Sequence, residues 1–251
     1  MTSKRFFIKE KPSGSAHLSL EGSEHHHLSK VARIKPGENV WLFDEHGNRF
    51  MARVEAVEKE RTLLNIVEEE RKRVLKVRIT LAQALLKTKK MDLVVQKATE
   101  FGAYAIVPLL SERTVVKIEN KQDKKMERWK RIVLEAAKQS GSTSVPEIHP
   151  PTELMRFISG KEKSKKMFLS ERGGESLRDI LMFPLNEKLK IPDSVNLLIG
   201  PEGGWTEKEE QDIMSNSYEA VSLGTFTLRS ETAAIVSLAM VSHFWMHEDV
   251  P

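Results

Sequence analysis

Apolar and polar residues alternate in short runs over the first 72 residues, and this alternation predicts β-strands. We predict strands over Asn39–Phe43, Arg49–Val54 and Thr62–Val67. Residues 44–48 include a glycine where a tight hairpin turn needs a positive φ, and residues 24–33 are expected to form one short helix. Short strands at this spacing indicate a small β-barrel.

After residue 73 the pattern changes to strands that alternate with helices. Strands are predicted over Val77–Ala82, Tyr104–Leu109, Lys166–Leu169, Val195–Ile199 and Ala220–Leu223. Apolar stripes with helical spacing predict helices over Met91–Phe101 and Met126–Ala137, which Gly102 and Gly141 end. Strands separated by helices favour a mostly parallel α/β sheet.

Two further helices are expected near the C-terminus. Thr206–Glu209 has the sequence of a capping box, so a short helix is expected to begin there. Ser230 is expected to cap a last helix that reaches about His247. We interpret the charged run Glu68–Arg73 as a link between two domains, residues 1–72 and 73–251, with a solvated strand end as the alternative.

The composition is that of an ordinary globular chain. Of its 251 residues, 39% are hydrophobic and 30% are charged. The chain has no cysteine, which excludes a disulfide framework, a thiolate metal site and a cysteine nucleophile. The net charge of +4 permits a polyanionic partner without establishing one. Since no apolar run has the length of a signal peptide or a membrane span, a cytosolic protein is expected.

Three glycines follow the predicted strand that ends at Ile199. Gly200, Gly203 and Gly204 let the backbone turn tightly and come close to a ligand. Open α/β sheets bind their ligands at the carboxyl ends of strands, which is where this loop lies. A strained loop without a ligand is the alternative, and these residues alone do not decide between the two.

A second loop of the same kind runs from Leu223 to Ala234. Leu223 and Leu228 flank a polar segment, which suits a ligand that has one flat apolar face and polar edges. Arg229 and Glu231 stand at its mouth, although a surface ion pair at a helix start is the alternative. The motifs G-x-G-x-x-G, G-x-x-x-x-G-K-[ST] and G-x-S-x-G are absent, which argues against Rossmann, P-loop and common hydrolase sites.

Three consecutive histidines, His25, His26 and His27, invite a metal interpretation. Consecutive side chains on a helix point in different directions and cannot jointly hold one ion. We therefore predict a surface or barrel-packing role for them and no structural metal.

Basic residues surround the same short helix, and aromatic residues lie nearby in sequence. They are Arg5, Lys30, Arg33 and Lys35, with Phe6, Phe7 and Trp41. A small barrel with such residues can bind RNA through phosphate contacts and base stacking. A solvated surface over a hydrophobic core is the alternative, and these residues alone favour it.

The two glycine loops together resemble the ribosomal RNA small-subunit methyltransferase E family of the SPOUT superfamily. The resemblance lies in Leu198-Ile199-Gly200-Pro201-Glu202-Gly203-Gly204 and in Leu223-Gly224-x-x-x-Leu228-Arg229-x-Glu231-Thr232-Ala233. Segments 26–44, 83–102, 111–113 and 139–148 agree with the family in the same order. The family often has Glu and Arg where this chain has Lys138 and Ser142, which weakens an RNA contact at position 142.

The resemblance implies a PUA-like N-terminal β-barrel and a SPOUT domain with a mostly parallel, trefoil-knotted sheet and helices on both faces. It implies a homodimer that uses S-adenosyl-L-methionine to methylate N3 of a uridine in the decoding region of 16S ribosomal RNA, within the small ribosomal subunit. A SPOUT enzyme for another RNA base and a non-catalytic RNA-binding or ribosome-assembly factor are the alternatives.

We also hypothesise roles for individual residues in the reaction that the resemblance implies. Arg229 is expected to stabilise negative charge on the uracil, and Glu231 or Glu202 to act as general base or to orient Arg229. S-adenosylmethionine is expected to contact Leu169, Ile199, Gly200, Gly204, Leu223, Gly224, Thr225 and Leu228. RNA is expected to contact Arg5, Lys30, Arg33 and Arg113. The target uridine is expected to turn out of its stack to reach the donor.

Overall fold

A computed structural model describes residues 4–9, 16–44, 48–70, 76–114, 122–141, 145–187 and 189–246. The chain forms two compact units. One comprises residues 1–74 and 137–145, and the other comprises residues 75–136 and 146–251. The turn glycine Gly47 and the family-variant position Ser142 lie outside the described residues.

The N-terminal unit contains a five-stranded sheet with the order β1-β3-β4-β5-β2. Its strands are β1 Arg5–Phe7, β2 His17–Glu21, β3 Asn39–Phe43, β4 Arg49–Val57 and β5 Arg61–Glu70. The β1–β3 pair is parallel, and the other pairs are antiparallel. The three strands predicted from the sequence are confirmed, with β4 and β5 longer than expected.

A short helix packs on this sheet. It comprises α1, Gly22–His26, and a π-helical turn, His27–Val31. His25 is buried, and its Nδ1 lies 2.8 Å from the hydroxyl of buried Thr62, as the barrel-packing interpretation predicts. Alternating strand residues and Leu28 of the helical turn form one core, which includes Phe6, Leu28, Leu42, Phe50, Val54 and Leu64.

The C-terminal unit contains an eight-stranded sheet in which every pairing is parallel. The strand order is β11-β13-β10-β12-β6-β7-β8, and β9 pairs with β7. The strands are β6 Arg78–Ala84, β7 Ala105–Leu110, β8 Glu147–Ile148, β9 Thr152–Glu153, β10 Lys165–Leu169, β11 Glu175–Ser176, β12 Ser194–Ile199 and β13 Glu219–Ser222. These pairings confirm the prediction of a mostly parallel sheet. The central strand β12 is buried at consecutive positions from Val195 to Ile199, as expected for a parallel strand that is covered on both faces.

Helices connect and flank these strands. They are α2 Thr88–Glu100, α3 Gln122–Ser140, α4 Leu154–Ile158, α5 Leu177–Asn186, α6 Glu207–Ser215 and α7 Ser230–Val241, which continues as a π-helical turn, Ser242–Met246. The predicted capping box of α6 is confirmed, since Thr206 and Glu209 each accept the other's backbone N–H. No helix within the described part of the chain is long and apolar enough to span a bilayer.

The predicted N-cap of the last helix is wrong by one residue. Arg229 is the N-cap, with φ −62° and ψ 147°, and Ser230 is the first helical residue. The hydroxyl of Ser230 donates instead to the carbonyl of Gly200 at 2.5 Å. The hydroxyl therefore bonds to a carbonyl of a distant loop and does not cap the N-terminus of its own helix.

Candidate active site

A cavity of about 460 Å³ lies where parallel strands of the larger sheet end. Its walls include the carboxyl ends of β10, β12 and β13 and the segments that follow them, within residues 169–173, 199–204 and 221–230. This is the edge at which open α/β sheets bind ligands. Both glycine-bearing loops singled out in the sequence therefore meet at one cavity.

A hydrogen-bond junction ties the two loops to the centre of the sheet. Gln83, fully buried near the end of β6, donates from Nε2 to Ser230 Oγ at 3.0 Å and to the Gly200 carbonyl at 3.4 Å. Ser230 Oγ donates to the same carbonyl. Hydrogen bonds therefore join three segments that are distant in sequence at one place beside the cavity.

Hydrogen bonds from side chains to backbone carbonyls hold the loop after β12 in place. The indole of buried Trp205 donates to the Leu169 carbonyl at 3.2 Å. Arg113 donates to the Gly203 carbonyl at 2.7 Å, and Arg172 donates to the Trp205 carbonyl at 3.3 Å. The loop is thus fixed at both its glycine end and its tryptophan end.

Two glycines in this loop lie where a side chain would be crowded. A Cβ atom on Gly200 would lie 3.2 Å from the ring of Trp205. Gly204 has φ +67°, which disfavours other residues, and its Cβ would lie 3.2 Å from a carboxylate oxygen of Glu171. The loop packs so closely because these positions have no side chains.

A lysine that the sequence analysis did not select bridges the two candidate carboxylates. Lys90, in the first turn of α2, places Nζ 3.0 Å from Glu202 Oε1 and 3.4 Å from Glu231 Oε1. Its hydrogen bond to Glu202 is the largest cause that raises the pKa of Lys90, so the ammonium stays charged near neutral pH. Glu231 is buried, and its Oε2 has no hydrogen-bond partner among the described residues.

Arg229 lines the cavity just before α7, and its side chain is exposed to solvent. Its guanidinium makes no hydrogen bond or ion pair with another described residue, in contrast to Lys90. One cation therefore bridges two carboxylates, and a second cation faces solvent at the same cavity.

The structure brings together all the residues predicted for the donor site. All eight expected cofactor contacts line the cavity, namely Leu169, Ile199, Gly200, Gly204, Leu223, Gly224, Thr225 and Leu228. Arg229 and Glu202 line it as well, and Glu231 adjoins it through Lys90. Their roles remain predictions, but their convergence is a property of the fold.

The four residues predicted to contact RNA fall into two kinds. Lys30 and Arg33 are exposed, and Arg33 has an uncommon φ of +53°. Arg5 donates to the carbonyls of Lys138 and Gln139, at the C-terminal end of α3, and Arg113 donates to the loop after β12. The last two guanidiniums thus already have protein partners.

Sequence reasoning missed Lys90 and Gln83. Gln83 follows directly after the predicted strand Val77–Ala82, and a polar residue between apolar ones at a strand end was the available signal. Lys90 lies close in sequence to Lys87 and Lys89. Which of these lysines faces the carboxylates depends on the residue at which α2 begins, and the sequence pattern did not locate that residue.

Comparisons with known proteins agree with this geometry. A family model described as an RNA methyltransferase domain matches residues 73–242, and one described as an RNA methyltransferase PUA domain matches residues 20–67. The ribosomal RNA small subunit methyltransferase E of Aquifex aeolicus is 32% identical over 95% of this chain and 99% of its own. That of Bacillus subtilis is 28% identical over 96% of each chain.

Solved structures give the same result. A ribosomal RNA small subunit methyltransferase E from Neisseria gonorrhoeae, bound to S-adenosyl methionine, superposes with a TM-score of 0.84 at 32% identity over 97% of this chain and 98% of that one. A Legionella pneumophila methyltransferase in complex with the cofactor SAM has a TM-score of 0.85 at 32% identity, with the same coverage. Together with the two family models, these matches show that the chain belongs to the ribosomal RNA small subunit methyltransferase E family.

Proposed function

We propose that this protein transfers a methyl group from S-adenosyl-L-methionine to N3 of a uridine in the decoding region of 16S ribosomal RNA. One observation carries the proposal. A single cavity gathers all eight residues expected to hold the donor, together with Arg229, whose guanidinium has no partner among the described residues. Lys90, also at the cavity, bridges Glu202 to the adjoining Glu231. The reaction is expected in the cytosol, where ribosomal RNA is available.

We propose two functional domains, an RNA-binding PUA-like barrel over residues 1–72 and a methyltransferase domain over residues 73–251. The ranges matched by the two family models, 20–67 and 73–242, support this division. The curled sheet of the N-terminal unit and the parallel sheet of the other unit are the corresponding structures.

The residues around the cavity fit the donor. Leu169, Ile199 and Leu228 offer apolar walls for an adenine ring, and the glycine loops bring backbone groups close. Cavity-lining side chains of both charge signs, Lys90 and Glu202, suit the charged methionine part of the molecule. When bound, the cofactor supplies an electrophilic methyl group on a sulfonium.

Methylation at N3 requires this nitrogen to lose its proton, which places negative charge on the uracil. Arg229 is suited to stabilise that charge, because its guanidinium lines the cavity and faces solvent. Glu231 or Glu202 is suited to accept the proton. Lys90 positions both carboxylates and offsets part of their negative charge.

The RNA is expected to reach the protein through exposed cations. Lys30 and Arg33 are free to meet phosphates at the surface of the N-terminal unit. Arg5 and Arg113 would contact RNA with those guanidinium nitrogens that their backbone partners leave available. We assign the first pair the larger share of phosphate binding.

The first prediction concerns the product. Incubation with purified small subunits from a strain that lacks this gene is expected to yield 3-methyluridine, identified by mass spectrometry of the digested RNA. Subunits already modified in the wild-type strain serve as the control and are expected to accept no methyl group. Modification of another base would instead favour a different SPOUT activity, and donor binding without transfer would favour a non-catalytic factor.

The second prediction concerns the charged residues of the cavity. Arg229→Ala is expected to lower kcat by about a hundredfold, as for loss of one donor to a developing anion. Lys90→Met is expected to lower it by about tenfold, because the two carboxylates lose their shared charge-assisted hydrogen bonds. Single-turnover methylation of small subunits measures both effects, and the exposed neighbour Lys89→Met is the matched control. Wild-type rates in Arg229→Ala would refute its assigned role.

The third prediction concerns RNA affinity. If Lys30 and Arg33 each contact a phosphate, Lys30→Gln and Arg33→Gln are each expected to flatten the slope of log K against log salt by about 0.7–0.9. Filter binding of small-subunit RNA between low and moderate salt measures this slope. Lys59→Gln removes an exposed lysine of the same unit and is expected to have a smaller effect. An unchanged slope in both variants would exclude these contacts.

The fourth prediction concerns assembly. Helix α7 carries buried apolar residues such as Leu238 and Val241, and also the half-buried Val236 and Met240. Apolar side chains on more than one face suggest burial on two sides, so we propose a homodimer that forms through this helix. Sedimentation equilibrium is expected to give twice the chain mass of 28.6 kDa, and a monomer at micromolar concentration would contradict the proposal.

A further inference from the structure

The loop after β13 exposes one aromatic ring at the edge of the cavity. Phe226 is 84% exposed, which is the highest value among the large hydrophobic residues described. Single exposed apolar residues are common and by themselves indicate nothing. The position of this one is unusual, because none of the other large exposed hydrophobics described lines the cavity.

The surroundings of Phe226 are polar and small. Gly224, Thr225 and Thr227 are exposed on the same loop, and Arg229 follows three residues after the ring. One ring within a polar rim offers too little apolar area for a protein-docking patch. It matches the face of one nucleobase, which stacks on aromatic side chains whatever its sequence context.

We propose that Phe226 is the stacking platform for the target pyrimidine after it leaves the RNA stack. This inference rests on the proposed function, since methylation at N3 requires the base to be unpaired and turned towards the donor. Phe226 would hold one face of the base while Arg229, on the same loop, meets its polar edge. Phe226 is thus a positioning residue for the substrate and leaves donor binding to other residues.

The stacking energy of one base on an aromatic side chain corresponds to about a tenfold effect or more. Phe226→Ala is therefore expected to lower kcat/KM for small-subunit RNA at saturating donor by about tenfold or more. Phe226→Trp is expected to restore most of this loss because it keeps a flat aromatic face. Phe226→Leu keeps apolar bulk without a ring, and it is expected to remain as poor as the alanine variant.

A spectroscopic readout separates stacking from a general loss of activity. An RNA fragment that the wild-type enzyme methylates would carry a fluorescent pyrimidine analogue at the target position. Binding to wild-type protein is expected to change its emission as the analogue moves from the RNA stack to Phe226. This change is expected to be lost in Phe226→Ala and Phe226→Leu and kept in Phe226→Trp.

Two controls make the proposal refutable. Donor affinity by calorimetry and the mass by sedimentation are expected to match the wild type in all three variants. A changed donor affinity would assign Phe226 to the donor site, and a changed mass would assign it to a subunit interface. Full activity of Phe226→Leu would also overturn the proposal. A wild-type protein that does not methylate RNA would refute the proposed function itself, before any variant is made.

Discussion

The cavity depends on the hydrogen bonds that join Gln83, Ser230 and the carbonyl of Gly200. Residues 83 and 230 are 147 positions apart, yet their side chains meet at 3.0 Å in the buried centre of the sheet. A buried amide or hydroxyl without a partner is costly, so the two loops stabilise each other's polar groups. Displacement of either loop would leave these groups unsatisfied, which favours a preformed cavity.

Charge at the cavity is divided between two cations with different surroundings. Lys90 contacts two carboxylates, so its charge holds Glu202 and Glu231 close together and offsets part of their negative charge. Arg229 has no such partner among the described residues, so its guanidinium can meet a substrate without first breaking a bond. Glu231 retains a buried oxygen that has no donor within the described part of the chain, and a group brought by substrate or cofactor can satisfy it.

The sequence predicted elements whose signals are local. The apolar stripe of α2, the capping box of α6 and the alternation in β4 each depend on neighbours within a few residues, and each is confirmed. The cap of α7 was wrong because Ser230 has a better acceptor in Gly200, which only the tertiary fold brings near. Helix α5 was not predicted, and it contains Pro184, which usually indicates a helix end.

The site shows the same limit of local reasoning. Glycines and apolar residues at strand ends could be selected, because the carboxyl edge of a parallel sheet is a general place for ligands. The partners of charged groups could not be predicted from the sequence. A shift of a few ångströms in the position of a side chain decides whether its charge is exposed to solvent or contacts another protein group. Arg5 and Arg113 are of the residue type that commonly binds RNA phosphates, yet both donate to backbone carbonyls. Since the chain carries a net charge of only +4, its attraction for RNA must depend on where the unpaired cations are placed rather than on their total number.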